Sequence, residues 1–294
     1  MVQRVTRAIV ALFTIACSSS GPTLEPLPQQ SDGSATPAPP RTIPGRWVLV
    51  PDHSSKSYIS SVMALLELHS DGTTVRDSVA TSIDFTISVA LDQNPPKFTG
   101  IINKVSVQTG NRIEQPNLPS VLPFPFAGHL ENGKLLIDST GKEAVTDPTR
   151  CTSSAAGTLT SIQRNFIVPP AVLTTGLSWT DSVTIPGCSG SIPIILSTKR
   201  SYHVTGETSY NGRRVLLVQR TEETEASGEG SQGQHRVTLN SRGSGTANMH
   251  FNSTTGDLVG LQGEQRSQVE VTSSGRVQKF TQIVREKTDL IPER

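Results

Sequence analysis

Residues 237–251, VTLNSRGSGTANMHF, decide the fold. Val237, Leu239, Ser241, Gly243, Gly245, Ala247, Met249 and Phe251 share one phase of a period-two alternation. Arg236, Thr238, Asn240, Arg242, Asn248 and His250 occupy the other. Alternation of this kind belongs to a strand with one dry and one wet face. At ~3.4 Å per residue the run reaches about 50 Å, far beyond the usual ~20 Å. A strand that long has to coil or bend, and Gly243 and Gly245 sit where a bend meets least steric resistance.

The same grammar extends both ways. Upstream, Ile83, Phe85, Ile87, Val89 and Leu91 fall on one face, with Ser82, Asp84, Thr86 and Ser88 opposite; Val62, Ala64, Leu66 and Leu68 form an earlier apolar phase. Lys97 to Val107 reads as a further strand. Asp71-Gly72, Glu131-Asn132-Gly133-Lys134 and Tyr210-Asn211-Gly212-Arg213 supply the positive-φ residues of tight hairpins. The last of these turns Leu196–Gly206 back into Val215–Val218 and beyond. After Thr254-Thr255-Gly256-Asp257, Val259, Leu261, Val269 and Val271 resume the pattern, and Ser273-Ser274-Gly275 leads into a last strand from Val277 to Arg285.

One segment breaks the alternation. Leu159, Ile162 and Phe166 recur at spacings of three and four, a helical stripe over 154–167 that Pro169-Pro170 stops. The expected fold is mainly β. Residues 46–290 form one domain, a long coiled antiparallel sheet curled into a half-barrel or incompletely closed barrel. The second half is a five-strand meander, and one short helix lies against the concave side or an open end.

The N-terminus has its own signature. Arg4 and Arg7 precede an uncharged, largely apolar run from Ala8 to Ala16, and Thr14-Ile15-Ala16-Cys17 closes it with a small residue before a thiol. As a helix, the run reaches only about 14 Å, short of a ~30 Å hydrocarbon core. The segment resembles a bacterial lipoprotein signal: residues 1–16 are the leader, and Cys17 is the acylated mature N-terminus. Ser18, not Asp, follows the cysteine, which by the same resemblance implies the outer membrane. Residues 17–45 then read as the acylated cysteine and a Pro/Ser-rich tether. Its stretch 18–44 holds seven prolines and no apolar periodicity, a composition that cannot bury a core.

Without residues 1–16, 24 basic residues face 25 acidic ones. There is no basic surplus of the kind nucleic-acid binding needs, and no nucleic-acid partner is expected. If Cys17 is acylated, Cys151 and Cys188 are the remaining intrachain pair, both in loop-like sequence, and an oxidising compartment favours a disulfide between them.

Candidate chemistry is sparse. Asp181, Ser189 and His203 can be drawn as a triad on paper, but no G-x-S-x-G accompanies them, and Gly187-Cys188-Ser189-Gly190 reads better as the loop carrying Cys188. His53, His69, His129, His203, His235 and His250 lack ligand spacing and read as solvated strand residues. Glu222-Glu223-Thr224-Glu225 lacks the internal glycine of a calcium loop and reads as a charged wet face. No catalytic residue, no metal site and no cofactor is expected, and the chain reads as a non-enzyme.

The leader, tether, long ribbons and single helix together resemble bacterial envelope lipoproteins of the LolA/LolB and LppX/LprG type. That resemblance implies a half-barrel whose apolar concave face, covered by helices, holds acyl chains; this chain has one credible helix where those carriers usually have several. The expected function is an envelope lipoprotein binding an apolar or amphipathic ligand, lipid included, on a lining from Ser241, Gly243, Gly245, Ala247 and Met249. Of these, Ser241, Gly243, Gly245 and Ala247 are too small to fill a wide interior. The alternative is a structural or protein-interaction lipoprotein whose sheet is filled by the helix and by Val62, Leu66, Ile83, Phe85, Ile87 and Leu135.

Overall fold

The computed structural model describes residues 45–292 apart from 71–72, 110–111, 115–121, 142, 145–154, 190–191 and 233–234. In chain order the strands are β1 (Arg46–Val48), β2 (Lys56–Ser70), β3 (Thr73–Ala90), β4 (Lys97–Thr109), β5 (Arg112–Glu114), β6 (Phe124–Glu131), β7 (Lys134–Thr140) and β8 (Glu143–Ala144). The helix α1 (Ala155–Asn165) follows, then β9 (Val172–Thr174), β10 (Ser178–Ser189), β11 (Ile192–Tyr210), β12 (Arg213–Gln232), β13 (His235–Asn252), β14 (Leu258–Ser273) and β15 (Arg276–Leu290). The turns fit their sequences. Asn132 and Gly133 have φ of 52° and 77°, and Asn211 and Gly212 of 48° and 75°, as a two-residue hairpin requires. The Asp71-Gly72 turn lies outside the described residues.

Thirteen strands form one antiparallel sheet, curled into a half-barrel in the order β10-β11-β12-β13-β14-β15-β2-β3-β4-β6-β7-β8, with β5 on β4. The closure of β15 on β2, from Phe280↔Leu68 to Leu290↔Tyr58, fuses the two halves of the chain into one sheet. Strand β10, at one edge, and β7, next to the two-residue β8 at the other, both pack against α1. Lys134 Nζ of β7 donates to the Ser182 carbonyl of β10 at 2.5 Å. Val168, just beyond the helix, donates to Gly133 O at 2.8 Å, and Gln163 to Leu135 O at 3.3 Å. The helix is the seam of the half-barrel. Strands β1 and β9 make a separate two-stranded sheet at the helix's C-terminal end.

The C-terminal half holds six long strands, β10–β15, where five were expected. Cys188 lies inside β10, paired with Pro193, and not in a loop. Gly228 and Gly230 lie inside β12, where a Cβ on Gly228 would come within 2.2 Å of the Pro193 carbonyl.

The dry face forms two large apolar clusters and, between them, a small one of Val62, Ala64 and Val284. At the helix end, Tyr58 stacks on Phe85 at 5.3 Å and meets Phe166 edge-on at 5.6 Å, with Leu159, Ile162, Phe98, Phe126, Met249 and Phe251 in the same cluster. At the other end, Leu66, Val79, Ile194, Leu239, Val271 and Phe280 belong to a second cluster. Loss of helix packing is therefore loss of core. Phe166→Ala is expected to destabilise the fold by ~3–5 kcal/mol, whereas Val277→Ala, at a 53% exposed position, should stay within ~0.5 kcal/mol; urea unfolding of both variants measures the difference.

Candidate functional site

Between the two large apolar clusters the lumen is polar except at Val62, Ala64 and Val284. Cross-strand register sets Asp181, Arg200, Glu222, Gly245, Gln265, Val284 and Ala64 in one row. Tyr202, Arg220, Ala247, Gly263, Glu286 and Val62 form the next row. Arg220 Nη2 reaches Glu286 Oε1 at 2.6 Å, passing over two intervening strands. That reach needs small residues beneath it: a Cβ on Gly263 would come within 2.9 Å of both Ala247 Cβ and Glu286 Oε1. Arg164 enters from α1 and binds the Glu222 carboxylate and Gln265 Oε1, the latter at 2.6 Å. Gln265 in turn donates to Thr224 Oγ1.

Arg200 completes the girdle. Its Nε and Nη2 bind Asp181 at 2.7 and 3.0 Å, and Nη1 caps the Arg164 carbonyl at the end of the helix at 2.7 Å. A cation on the last carbonyls also complements the negative end of the helix dipole. Tyr202 OH donates to Asp181 Oδ2 at 3.2 Å, and its ring stacks on Trp179 at 4.8 Å. Three guanidiniums against three carboxylates leave the girdle neutral.

Burial alone would raise the Glu222 carboxyl, but the Arg164 and Arg220 guanidiniums outweigh it and hold the group below its ordinary range. Burial would likewise lower Arg220, and Glu222 and Glu286 reverse that. Several buried polar atoms in and beside this layer have no hydrogen-bond partner, among them Arg220 Nε and Nη1, Glu222 Oε2 and both amide atoms of Gln282. Buried polar atoms of this kind call for water or another polar guest.

On the outside, the bend in the sheet makes a transverse waist. A groove of about 930 Å³ runs over β10–β14, and a second of about 790 Å³ adjoins it, sharing Ser182, Lys199, Glu223, Ser244 and Arg266. Lys199, Glu223, Ser244 and Arg266 follow one another across the strands. Arg242 pairs with Glu225 at 3.4 Å and Arg285 with Glu264 at 2.8 Å on the same face. A barrel that spans a membrane carries an apolar band outside. Here the outer face of the long strands is charged and the apolar face is turned inward.

The expected lining residues lie on the inner phase of β13: Ala247 and Met249 are buried in the helix-end cluster, and Ser241, Gly243 and Gly245 are partly buried. A Cβ on Gly243 would come within 2.6 Å of the Arg266 carbonyl, and one on Gly245 within 2.9 Å of the Glu264 carbonyl. Neighbouring β14 thus takes up the room beside them. Asp181, Ser189 and His203 do not come together. Asp181 is held by Arg200 and Tyr202, His203 binds Ser178 Oγ at 2.9 Å, and Ser189 is paired with Ile192 at the far end of β10.

Two readings of polar sequence need correction. Glu222 is buried, while Glu223 and Glu225 point outward, so the acidic run is split by the pleat and is not one wet face. His250 is 8% exposed, with its ring stacked on Tyr210 at 4.1 Å, and is not a solvated strand residue. Among the described residues, no three His, Cys, Asp or Glu side chains gather as a metal site. Cys17, Cys151 and His69 fall where side chains are outside the description, as does the side chain of Cys188, and with them the acylation and the Cys151–Cys188 bridge.

The sequence carried a signal for the girdle. Arg200, Arg220, Glu222, Gln265 and Glu286 all stand in the apolar phase of their strands, in step with Tyr202, Val218 and Val284. A charge in the dry phase of an amphipathic strand points to a buried partner.

No family model matches the chain, and no curated protein matches it. Among solved structures it is similar to Pseudomonas aeruginosa OccK2 (OpdF), at 6% identity over 84% of this chain and 100% of that one, with a TM-score of 0.23. It is also similar to OccK8 (OprE) of the same organism, at 8% identity over 83% and 100% with a TM-score of 0.22. A third, OpdQ, gives 8% identity over 81% and 98% with a TM-score of 0.24. Likeness at this level carries no argument about fold or function.

Two outcomes follow from the buried polar groups. Glu286→Leu leaves Arg220 short of its shortest ion pair and is expected to cost ~3–5 kcal/mol, while Arg220→Met combined with Glu286→Leu recovers most of that loss; a double-mutant cycle by chemical denaturation reads both. Burial lowers the His250 pKa below its ordinary 6.5, against the opposing influence of the Gly260 backbone and Asp289. The neutral imidazole is the folded form, so its contribution is complete above the unfolded pKa and is lost as pH falls through the folded one. Denaturation midpoints between pH 7.5 and 5 are expected to fall less steeply for His250→Phe than for the parent chain.

Proposed function

We propose that this chain is an envelope lipoprotein, anchored through an acylated Cys17 in the outer membrane, whose curled sheet is a self-filled scaffold presenting its polar waist to a partner. The observation that carries this reading is the position of α1. The helix puts Leu159, Ile162 and Phe166 into the concave end and reaches the opposing strands through Arg164. The residues available for such a filling, Val62, Leu66, Ile83, Phe85, Ile87 and Leu135, are all buried. The reading is non-enzymatic and needs no cofactor.

A carrier for an amphipathic ligand is the second reading, favoured by the unpartnered atoms of Arg220 and Gln282. A lipid would place its head at the girdle and its tail against the Leu66–Phe280 cluster.

Native mass spectrometry and solvent extraction of the mature chain with Cys17→Ser, purified from the envelope fraction, separate the two. The scaffold is expected to yield no stoichiometric lipid; one lipid per chain overturns it in favour of the carrier. Mass spectrometry of the natural N-terminal peptide tests the anchor, and an unacylated terminus would remove it.

A further inference from the structure

Large apolar side chains scattered singly over a surface need no explanation; grouped ones do. Of the exposed large apolar residues, Val48 at 60% and Val50 at 68% are the most exposed, and both lie on or just after β1. Val172 of β9, at 38%, is the register partner of Val48. The pleat of this two-stranded sheet sends Leu49 and Leu173 into the core and leaves Val48, Val50 and Val172 pointing away from it. Nothing in the fold gains from three valines on that face.

Cations frame the same end of the molecule. Arg46 lies on the exposed face of β1, paired with Thr174. Trp47 Nε1 donates to Glu207 Oε1 at 3.0 Å, and Arg214, 70% exposed in its side chain, binds Glu207 Oε2. Arg213 is exposed beside it at the Asn211-Gly212 turn. The nearby acids are engaged: Glu207 by Trp47 and Arg214, and Asp52 by Lys56 at 2.6 Å. Apolar prongs, a half-buried tryptophan and exposed basic groups form a surface suited to the boundary between headgroups and acyl chains.

We propose that the outer face of β1–β9 is a bilayer-docking surface, with Val48, Val50 and Val172 entering the acyl boundary and Arg46, Arg213 and Arg214 meeting anionic headgroups. The occupant is fixed by where this face lies in the chain. β1 starts directly after the segment that runs back to Cys17, so an acyl group there would hold this end of the domain nearest the membrane. The inference therefore rests on the anchored reading for its biological setting. A tethered surface needs little intrinsic affinity, because the anchor raises the effective concentration of the bilayer. One acyl chain alone holds a protein marginally, and an apolar and basic patch is the kind of second signal that makes attachment firm. The distal hairpin rim would then point away from the membrane.

The test uses the mature chain with Cys17→Ser, so that acylation plays no part, sedimented with vesicles of phosphatidylethanolamine and phosphatidylglycerol. Partitioning of this chain is expected to fall by about tenfold or more in the Val48→Ser, Val50→Ser, Val172→Ser variant, and to weaken at high salt and in Arg46→Gln. Val50→Ser alone, at a position too exposed to matter for folding, should give part of that loss, and Val277→Ser none. Equal partitioning of parent and triple variant overturns the proposal. So does a parent dimer that the triple variant abolishes with vesicle binding unchanged, which would assign the face to a second copy. Both readouts are independent of the mass of the natural Cys17 peptide, so failure of the anchor and failure of the patch are distinguishable.

Discussion

Strands β11, β12 and β13 run 19, 20 and 18 residues, and right-handed twist accumulates along every one of them. A flat sheet of that length is sterically unavailable, so the strands coil and the dry face closes on itself. Everything else in the molecule answers the question this closure raises: what occupies the inside. Bulges between Val204 and Gly206 and between His250 and Phe251 sharpen the curve, and Gly243 and Gly245 let β14 approach β13 where it is tightest.

The answer differs along the axis. Near the helix the lumen is filled by aromatic and aliphatic packing, and at the far end by a second apolar cluster. The waist between them is too narrow at β13–β14 for large apolar side chains from those strands, and long polar side chains from β11, β12, β15 and α1 extend over the small ones. Guanidiniums suit this task, since each spans several ångströms and makes fixed, forked hydrogen bonds. Burying three of them requires paired carboxylates, and Asp181, Glu222 and Glu286 supply these. A charge network of this sort contributes little net stability against an apolar equivalent but penalises any arrangement that breaks a pair. Its geometry ties α1 to β12 and β14 through Arg164, and to β11 through the carbonyl that Arg200 caps. The helix closes the seam and the girdle locks it there.

The resulting molecule is an inverted image of a membrane-spanning barrel. Most of its charges face water, its apolar clusters face inward, and its two most exposed large apolar residues, Val48 and Val50, lie on or just after β1 at one end. The polar grooves over β10–β14 are open to solvent, and β1, the first strand in the chain, carries the exposed Arg46 and Val48.

How much of this was legible in the sequence follows from the range of the interactions involved. Period-two alternation fixed the strands of both halves, Asn132-Gly133 and Asn211-Gly212 fixed their hairpins, and Leu159, Ile162 and Phe166 marked the helix, because each depends on residues within a few positions of one another. The length of 237–251 alone required a coiled sheet. Three things were decided only by tertiary structure. The pairing of β15 with β2 joins residues more than 200 apart, and local pattern is silent on it. The partnership of Arg220 with Glu286 depends on Ala247 and Gly263 lying beneath it, which needs the register of four strands at once. The burial of His250, on the outer phase of β13, depends on Tyr210 of β11 stacking over it from two strands away. A charged residue in the dry phase announced that something unusual stood there; only the closed sheet supplied the partner.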